Sequence, residues 1–309
     1  MIAVTVRDLF DKPEFANAAG WAFGFGVVGL FVGLLWRRVW RRPAPVAGLI
    51  VAAAFGFSFH YSIGIPNNVE RGLWLLVAAG IITGFLAALW HPLIILGIGF
   101  ALPGATLLTK NTGLLVHPHW VKTLVVATVV IGGTLVADFD RRYRDRGWAP
   151  AMFAVSAIGL YLTVPDTERA MLLLGAALPV VLLGWPFPLA SLGAVGAYPC
   201  VGALAWVAAF DGRGRLSAIV GGVACLGFFA AEPVASVIRI RLKGVLTALP
   251  RKWWVAIAVG AGQLVFVAVA GRLAGERSEV KPAVAIVAME MAVAVALLVL
   301  GAREARDVG

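Results

Sequence analysis

Long apolar blocks, separated by short polar segments, run along this chain from residue 18 to residue 301. About 20 apolar residues, at a rise of roughly 1.5 Å each, form a helix that crosses the hydrocarbon core of a bilayer. Because backbone groups in lipid must find partners within their own segment, helices are favoured over open sheets. The pattern predicts an all-α, polytopic transmembrane helix bundle in one integral membrane domain, 1–309. Its eleven predicted spans are 18–36, 44–63, 72–90, 92–109, 120–137, 148–164, 169–186, 188–209, 216–237, 253–271 and 282–301.

Arginine and lysine form dense clusters in loops that the predicted spans place on one side of the membrane. The clusters lie in 37–42, 141–146, 239–252 and 303–306. Loops rich in these residues stay on the cytoplasmic side, so the N-terminus is predicted outside and the C-terminus inside. Tryptophans at the predicted span ends agree with an interfacial aromatic belt. They are Trp36, Trp40, Trp90, Trp120, Trp148, Trp185, Trp253 and Trp254.

The composition excludes a soluble domain as the main part of the chain. Hydrophobic residues make up 61% and charged residues 14%, whereas soluble domains average about 45–50% and about 25%. The net charge is +10, but the basic residues occupy short inter-helix loops, which indicates topology and lipid-headgroup contact and argues against nucleic-acid binding. We expect the protein to lie in the cell membrane. Beyond lipid, its expected partners are further copies of the chain in an oligomer or the other subunits of a larger membrane complex. Cys200 and Cys225 lie inside apolar blocks without metal-binding spacing, which predicts two small buried hydrophobes.

Parts of the sequence recur at an offset of 98 residues. The ten residues from Glu70 match the ten from Glu168 at six positions, and a proline precedes each segment, Pro66 and Pro165. Chance matches are common in text rich in Ala, Leu and Gly, but the Glu-Arg pair and the prolines are rarer. The match predicts tandem four-helix units in parallel, related by an axis along the membrane normal. The predicted units are 18–109, 120–209 and a shortened 216–301.

Familiar catalytic signatures are missing from the sequence: it contains no P-loop, GxSxG or HExxH motif. The segment Asp138-Phe139-Asp140-Arg141-Arg142 resembles the aspartate pairs that hold Mg²⁺ in lipid-phosphate enzymes. Those sites need several carboxylates at helix-turn spacing, and a second set is missing here. Because the neighbouring arginines can pair with both aspartates, we predict a solvated loop, no metal site and no cofactor.

Ionisable residues inside predicted spans are the first candidate binding groups. Glu290 falls near the middle of the last span, where a charged carboxylate costs about 2.5–3.5 kcal/mol on insertion scales. This position predicts either a proton or cation site or a neutral glutamate that is hydrogen-bonded to a neighbouring helix. Glu232 precedes Pro233, which frees backbone carbonyls that could coordinate a cation together with the glutamate. The alternative interpretation is that Glu232 reaches the membrane interface and pairs with a nearby arginine. His60, near the outer end of its span, is a proton relay or ligand residue, or an interfacial polar group.

Pro103 and Pro199 occupy corresponding places in the two predicted repeats, each within a Gly-rich run. Paired interrupted helices are typical of the central site of a transporter, because a broken helix exposes backbone dipoles to the substrate. The alternative is a pair of tolerated kinks, since proline and glycine are frequent in membrane helices. Both residues are therefore candidates for a solute or ion site.

The outer loops supply a second set of candidates. Asp166 and Glu168 stand where a helix begins, so capping explains them; with Arg71 and Arg169 they also suit an active site that faces outward. The leading hypothesis is a transporter or permeation protein for a small solute or ion. One alternative is a membrane-embedded enzyme acting on a lipid-linked substrate at the outer face. Another is a non-catalytic membrane subunit of a larger complex.

Overall fold

The computed structural model describes residues 12–62, 67–111, 118–164, 168–184, 188–211 and 221–230, together with 285, 288, 291–292, 295–296 and 299. Within these residues the fold is helical and has no β-strand. The helices are α1 (Pro13–Trp40), α2 (Ala47–Ser62), α3 (Asn67–Leu89), α4 (Leu96–Asn111), α5 (Pro118–Ala127), α6 (Gly133–Tyr143), α7 (Trp148–Thr163), α8 (Glu168–Ala177), α9 (Val181–Gly184) and α10 (Ala194–Asp211). A π-helical turn, Thr128–Gly132, joins α5 to α6, and 3₁₀ turns His91–Ile95 and Arg144–Arg146 precede α4 and follow α6.

Among the described residues, four helical stretches are long and apolar enough to cross a membrane. They are Pro13–Trp40, Asn68–Leu89, His91–Lys110 and His119–Tyr143. The first has 28 residues, which corresponds to about 42 Å of helix. Shorter apolar helices lie at Ala47–Ser62, Trp148–Thr163 and Ala194–Phe210. The chain is therefore a membrane-embedded helical protein, as its apolar blocks predict.

Two predicted spans differ from the structure in form. The span 169–186 is divided, because α8 ends at Ala177 and a turn containing Pro179 leads into the short α9; proline has no N–H with which to continue a helix. The span 188–209 starts with a non-helical segment, 188–193, and α10 begins only at Ala194. The predicted span 253–271, most of 282–301 and both ends of 216–237 lie outside the described residues.

Helix α10 occupies the centre of the described bundle and packs against α3, α2 and α6. Glycines bring the backbones together: a Cβ on Gly80 of α3 would lie 2.6 Å from the Pro199 nitrogen. A Cβ on Gly48 of α2 would likewise lie 2.6 Å from the Gly196 carbonyl carbon. Small residues of this kind let helices in lipid approach closely enough for dispersion contacts to hold them.

The non-helical segment 188–193 is held by backbone hydrogen bonds to the loop between α1 and α2. Ala44 N–H donates to the Leu189 carbonyl at 2.9 Å, and Ser191 N–H donates to the Ala44 carbonyl at 2.8 Å. Ala47 N–H donates to the Ser191 carbonyl at 3.0 Å. These bonds satisfy backbone groups that no helix satisfies, as buried backbone requires. They also bring the start of α10 to the arginine-rich end of α1.

Candidate functional site

An arginine-rich cleft opens where the loop after α1 meets the turn after α6. Its volume is about 380 Å³, which falls in the range of about 300–1,000 Å³ that small-molecule sites occupy. The residues that line it are Trp36, Trp40, Arg42, Pro43, Pro45 and Arg144. The first two arginine clusters of the sequence therefore lie at the same end of the helices, and one arginine from each lines this cavity.

The wall on the α1 side is a stiff, sharply turned segment. Arg41 ends α1 in the left-handed conformation, with φ of 53°, and its N–H donates to the Arg37 carbonyl at 2.9 Å. This turn reverses the chain away from the helix axis, as at many helix C-termini. Pro43 and Pro45 then restrict the following backbone. Arg42 is therefore carried on a defined loop between the end of α1 and the backbone pairing at Ala44.

The wall on the α6 side rests on a buried aspartate. Asp140 is 1% exposed, and its two carboxylate oxygens accept the N–H groups of Leu192 and Gly193, each at 3.0 Å. Both donors immediately precede α10, so the negative charge also lies near the positive end of the helix dipole. Arg144 Nε lies 3.9 Å from Asp140 Oδ2. Asp140 thus ties α6, the segment 188–193 and the cleft arginine together.

The prediction of a solvated loop over 138–142 is wrong. The segment belongs to α6, which ends at Tyr143, and of its two aspartates only Asp138 is exposed enough to be solvated. Its side chain is 39% exposed, and Asp138 Oδ1 lies 3.5 Å from an Arg141 nitrogen. Among the described residues no group of three or more His, Cys, Asp or Glu side chains could hold a metal ion. The buried carboxylate of Asp140 instead accepts the backbone N–H groups of Leu192 and Gly193.

Arg144 keeps hydrogen-bonding capacity that the described part of the chain does not use. Its Nε is buried and has no hydrogen-bond partner there, and the 3.9 Å separation from Asp140 exceeds hydrogen-bond distance. A guanidinium carries five N–H donors in a planar fork. Arg42 on the opposite wall is exposed. The cleft therefore presents two cationic groups to whatever enters it.

His60 and Glu70 form a separate polar pair on helices α2 and α3. His60 Nδ1 lies 2.5 Å from Glu70 Oε1, and Trp74 Nε1 donates to the same oxygen at 3.3 Å. The His60 side chain is 56% exposed. Beside this pair, Asn17 donates to the Ser62 hydroxyl at 2.5 Å. The sequence candidate His60 thus has a carboxylate partner that its position alone did not indicate.

The outer-face candidates that the structure describes are spread over different helices. Arg71 is exposed on the first turns of α3, and Glu168 is exposed at the start of α8. Arg169 is half-buried, with its guanidinium carbon 4.3 Å from the centroid of the Phe210 ring, a distance typical of a cation–π contact. Asp166 lies outside the described residues, as do Glu232 and Glu290.

The prolines singled out in the sequence lie inside continuous helices. Pro103 is exposed on α4, whereas Pro199 is buried in α10 against Gly80. The expected interruption is absent at both, and the two residues have different surroundings. The tight contact between Gly80 and Pro199 leaves no space for a solute at that point.

A second cavity, of about 240 Å³, is lined by apolar residues along the π-helical turn, including Ile131 and Leu226. Among the described residues its lining holds one polar side chain, Thr128, and no charged one. Cys200, which is fully buried, donates through Sγ to the Gly48 carbonyl.

No protein-family model and no curated protein matches the chain.

Proposed function

We propose that the chain is a transport protein of the cell membrane whose solute is an anion that enters through the arginine-rich cleft. The convergence of Arg42 and Arg144 on one cavity supports this proposal most directly. Arginines at a membrane interface attract anions from the adjacent aqueous layer, and a partly desolvated cavity strengthens that attraction. The proposal includes eleven spans, with the N-terminus outside and the C-terminus in the cytoplasm, which places the cleft on the cytoplasmic side.

The route of the anion beyond the cleft is part of the same proposal. Parallel repeats over 18–109 and 120–209 would surround a shared central region. Glu290 and Glu232 are the proposed proton or cation sites that couple to transport, because carboxylates inside spans are costly unless they serve such a role. Pro103 and Pro199, predicted from the sequence as candidates for a solute or ion site, would act in transport by bending their helices, since each removes one backbone hydrogen bond from its helix.

The test is anion flux in vesicles of purified protein. We expect Arg42→Gln together with Arg144→Gln to abolish most of the flux. The matched control is Arg37→Gln with Arg38→Gln, which removes the same charge from exposed positions of α1 that do not line the cleft. Glu290→Gln should shift the pH dependence of flux. Equal losses in the two double variants would contradict the role of the cleft, and an absence of flux in the unmodified protein would contradict transport.

The hydrogen bond between His60 and Glu70 supports a second candidate, an enzyme acting on a lipid-linked substrate at the outer face. A histidine oriented by a carboxylate is a common general base. In this proposal Arg71 and Arg169 bind the anionic part of the substrate. Turnover that disappears in His60→Gln and Asp166→Asn, while the helices stay folded, would favour the enzyme over the transporter. Copurification with one fixed partner, without flux or turnover, would favour a structural subunit.

A further inference from the structure

We propose that the cleft binds the phosphate-bearing headgroup of a membrane amphiphile between Arg42 and Arg144, with the hydrocarbon chain along one face of α1. The inference deepens the proposed function and rests on it, because the same cleft is there the entrance for an anion. It names the chemical class of that anion. The assignment rests on three features: the two guanidiniums, the two indoles that line the cleft, and exposed apolar residues along one face of α1.

The choice of arginine indicates phosphate. The segments 37–42 and 141–146 contain four arginines each and no lysine. A guanidinium binds phosphate through two parallel N–H bonds and stays charged at every physiological pH. Two guanidiniums on opposite walls, Arg42 and Arg144, can therefore share the oxygens of one phosphate group.

The charge of Arg144 is only partly compensated inside the protein. Asp140 is the carboxylate beside it, and both of its oxygens already accept backbone N–H groups, from Leu192 and Gly193. Asp138, the other described carboxylate of α6, pairs with Arg141. Within the described residues the cleft lining itself contains two arginines and no acidic side chain. Both arginines therefore attract an anion in the cleft, and the described residues of the lining do not repel it.

The tryptophans indicate that the anion belongs to an amphiphile. Trp36 and Trp40 are 38% and 62% exposed, and their ring centroids are 5.7 Å apart. Indoles prefer the layer between headgroups and hydrocarbon, where one edge is wet and the body is apolar. A soluble anion would gain little from two exposed indoles beside the arginines.

An apolar stripe connects the cleft with the hydrocarbon region. Val28 and Val32 precede Trp36 and Trp40 at intervals of four residues and are 61% and 37% exposed. Residues at i and i+4 lie above one another on a helix surface. A hydrocarbon chain can therefore extend along this face of α1 while its headgroup stays between the arginines.

The experiment offers the detergent-purified, full-length protein equal amounts of phosphatidic acid and phosphatidylcholine with identical acyl chains. Bound lipids are counted by native mass spectrometry. We expect selective retention of phosphatidic acid, about a tenfold loss of that retention in Arg42→Gln, and a larger loss in Arg42→Gln with Arg144→Gln, since each charge-assisted contact contributes on the tenfold scale. The control Arg37→Gln with Arg38→Gln should keep selectivity. Arg42→Gln alone, an exposed loop position, gives the same test if substitution of Arg144 prevents folding.

Three outcomes would overturn the assignment. Retention of phosphatidylcholine equal to that of phosphatidic acid would show that the headgroup charge is not recognised. Equal losses in the cleft and control variants would show a diffuse attraction to the arginine-rich end. Displacement of phosphatidic acid by inorganic phosphate at equal concentration would assign the cleft to a soluble ion. Lipid selectivity without flux would leave this assignment standing and contradict transport alone.

Discussion

Asp140 shows how one buried carboxylate can fix the position of several segments. Its oxygens accept two backbone N–H groups from the residues before α10, and it lies beside the Arg144 side chain. Ionised groups are rarely buried without such partners, because desolvation opposes the charge. The carboxylate of Asp140, on α6, accepts N–H groups just before α10, in the way that a capping residue accepts N–H groups at the start of its own helix. Arg144 is therefore placed through contacts with a segment that lies far from it along the chain.

Replacing Asp140 should destabilise the protein much more than replacing Asp138 on the same helix. In Asp140→Ala the N–H groups of Leu192 and Gly193 lose their acceptor, at a cost of about 1–3 kcal/mol for each buried group. Asp138→Ala is the matched control, because the surface pair of Asp138 with Arg141 is worth about 0–1 kcal/mol. Unfolding of the purified protein by sodium dodecyl sulfate in mixed micelles measures both changes. Similar midpoints for the two variants would contradict the structural role of Asp140.

The sequence could not distinguish Asp140 from Asp138. Both are aspartates on the last turns of one helix, flanked by the same arginines, and the local pattern suits solvated side chains. The difference arises from the segment 188–193, which lies against only one of them. The sequence did predict the two arginine clusters at one end of the bundle. It could not predict that Arg42 and Arg144 would face the same cleft, because that depends on the turn at Arg41 and the pairing at Ala44.

At the scale of helices, α3 depends on glycines for its contacts with α4 and α10. Gly72 and Leu76 face Gly104 of α4, and Gly80 and Gly84 face the first turns of α10. Helix association in lipid relies on dispersion and close backbone approach, since the solvent is itself apolar. Each glycine therefore sets a helix–helix distance that a methyl group would increase. The α3–α10 contact is the more central of the two.

A methyl group on Gly80 should separate α3 from α10. In Gly80→Ala the new Cβ would lie 2.6 Å from the Pro199 nitrogen, and the nearest atoms belong to backbone that cannot rotate away. Overpacking of this kind costs about 1–3 kcal/mol. Gly99→Ala on α4 is the control, because its new methyl group would meet open space, with no neighbouring atom within 4 Å, and alanine has the higher helix propensity. Gly80→Ala should thus lower the unfolding midpoint in mixed micelles while Gly99→Ala leaves it unchanged or raises it.

The length of the apolar runs predicted where the helices lie, but it could not predict the irregularities within them. The positions of α1 to α7 follow the predicted spans, because about 20 apolar residues suffice to define a crossing helix. The turn at Pro179 and the non-helical segment before Ala194 lie inside equally apolar runs. The backbone groups of that segment find partners in the loop around Ala44, far away in sequence. Hydropathy carries no information about those partners.

At the scale of the whole molecule, the described loops meet at two separate ends. At one end, Arg42 and Arg144 line the cleft, and Ala44 pairs with the chain that enters α10. At the other, His60 contacts Glu70, and Asn17 contacts Ser62. Among the described residues, the first end carries the two arginine clusters, whereas the basic residues nearer the second end are dispersed: Lys12, Arg71, Lys110, Lys122 and Arg169. This asymmetry is what the positive-inside rule needs in order to orient a bundle.

Surface labelling of single cysteines should show both ends on opposite sides of the cell membrane. We expect a cysteine in place of Arg38 or Arg141 to react with a membrane-impermeant maleimide only after the membrane is opened. A cysteine in place of Ser62 or Lys110 should react in intact cells. The native Cys200 and Cys225 are buried, so they should contribute little background, and their replacement by alanine removes what remains. Labelling of Arg38 and Arg141 positions from opposite sides would contradict both the orientation and the shared cleft. Labelling of both positions from outside would contradict the orientation and leave the shared cleft unaffected.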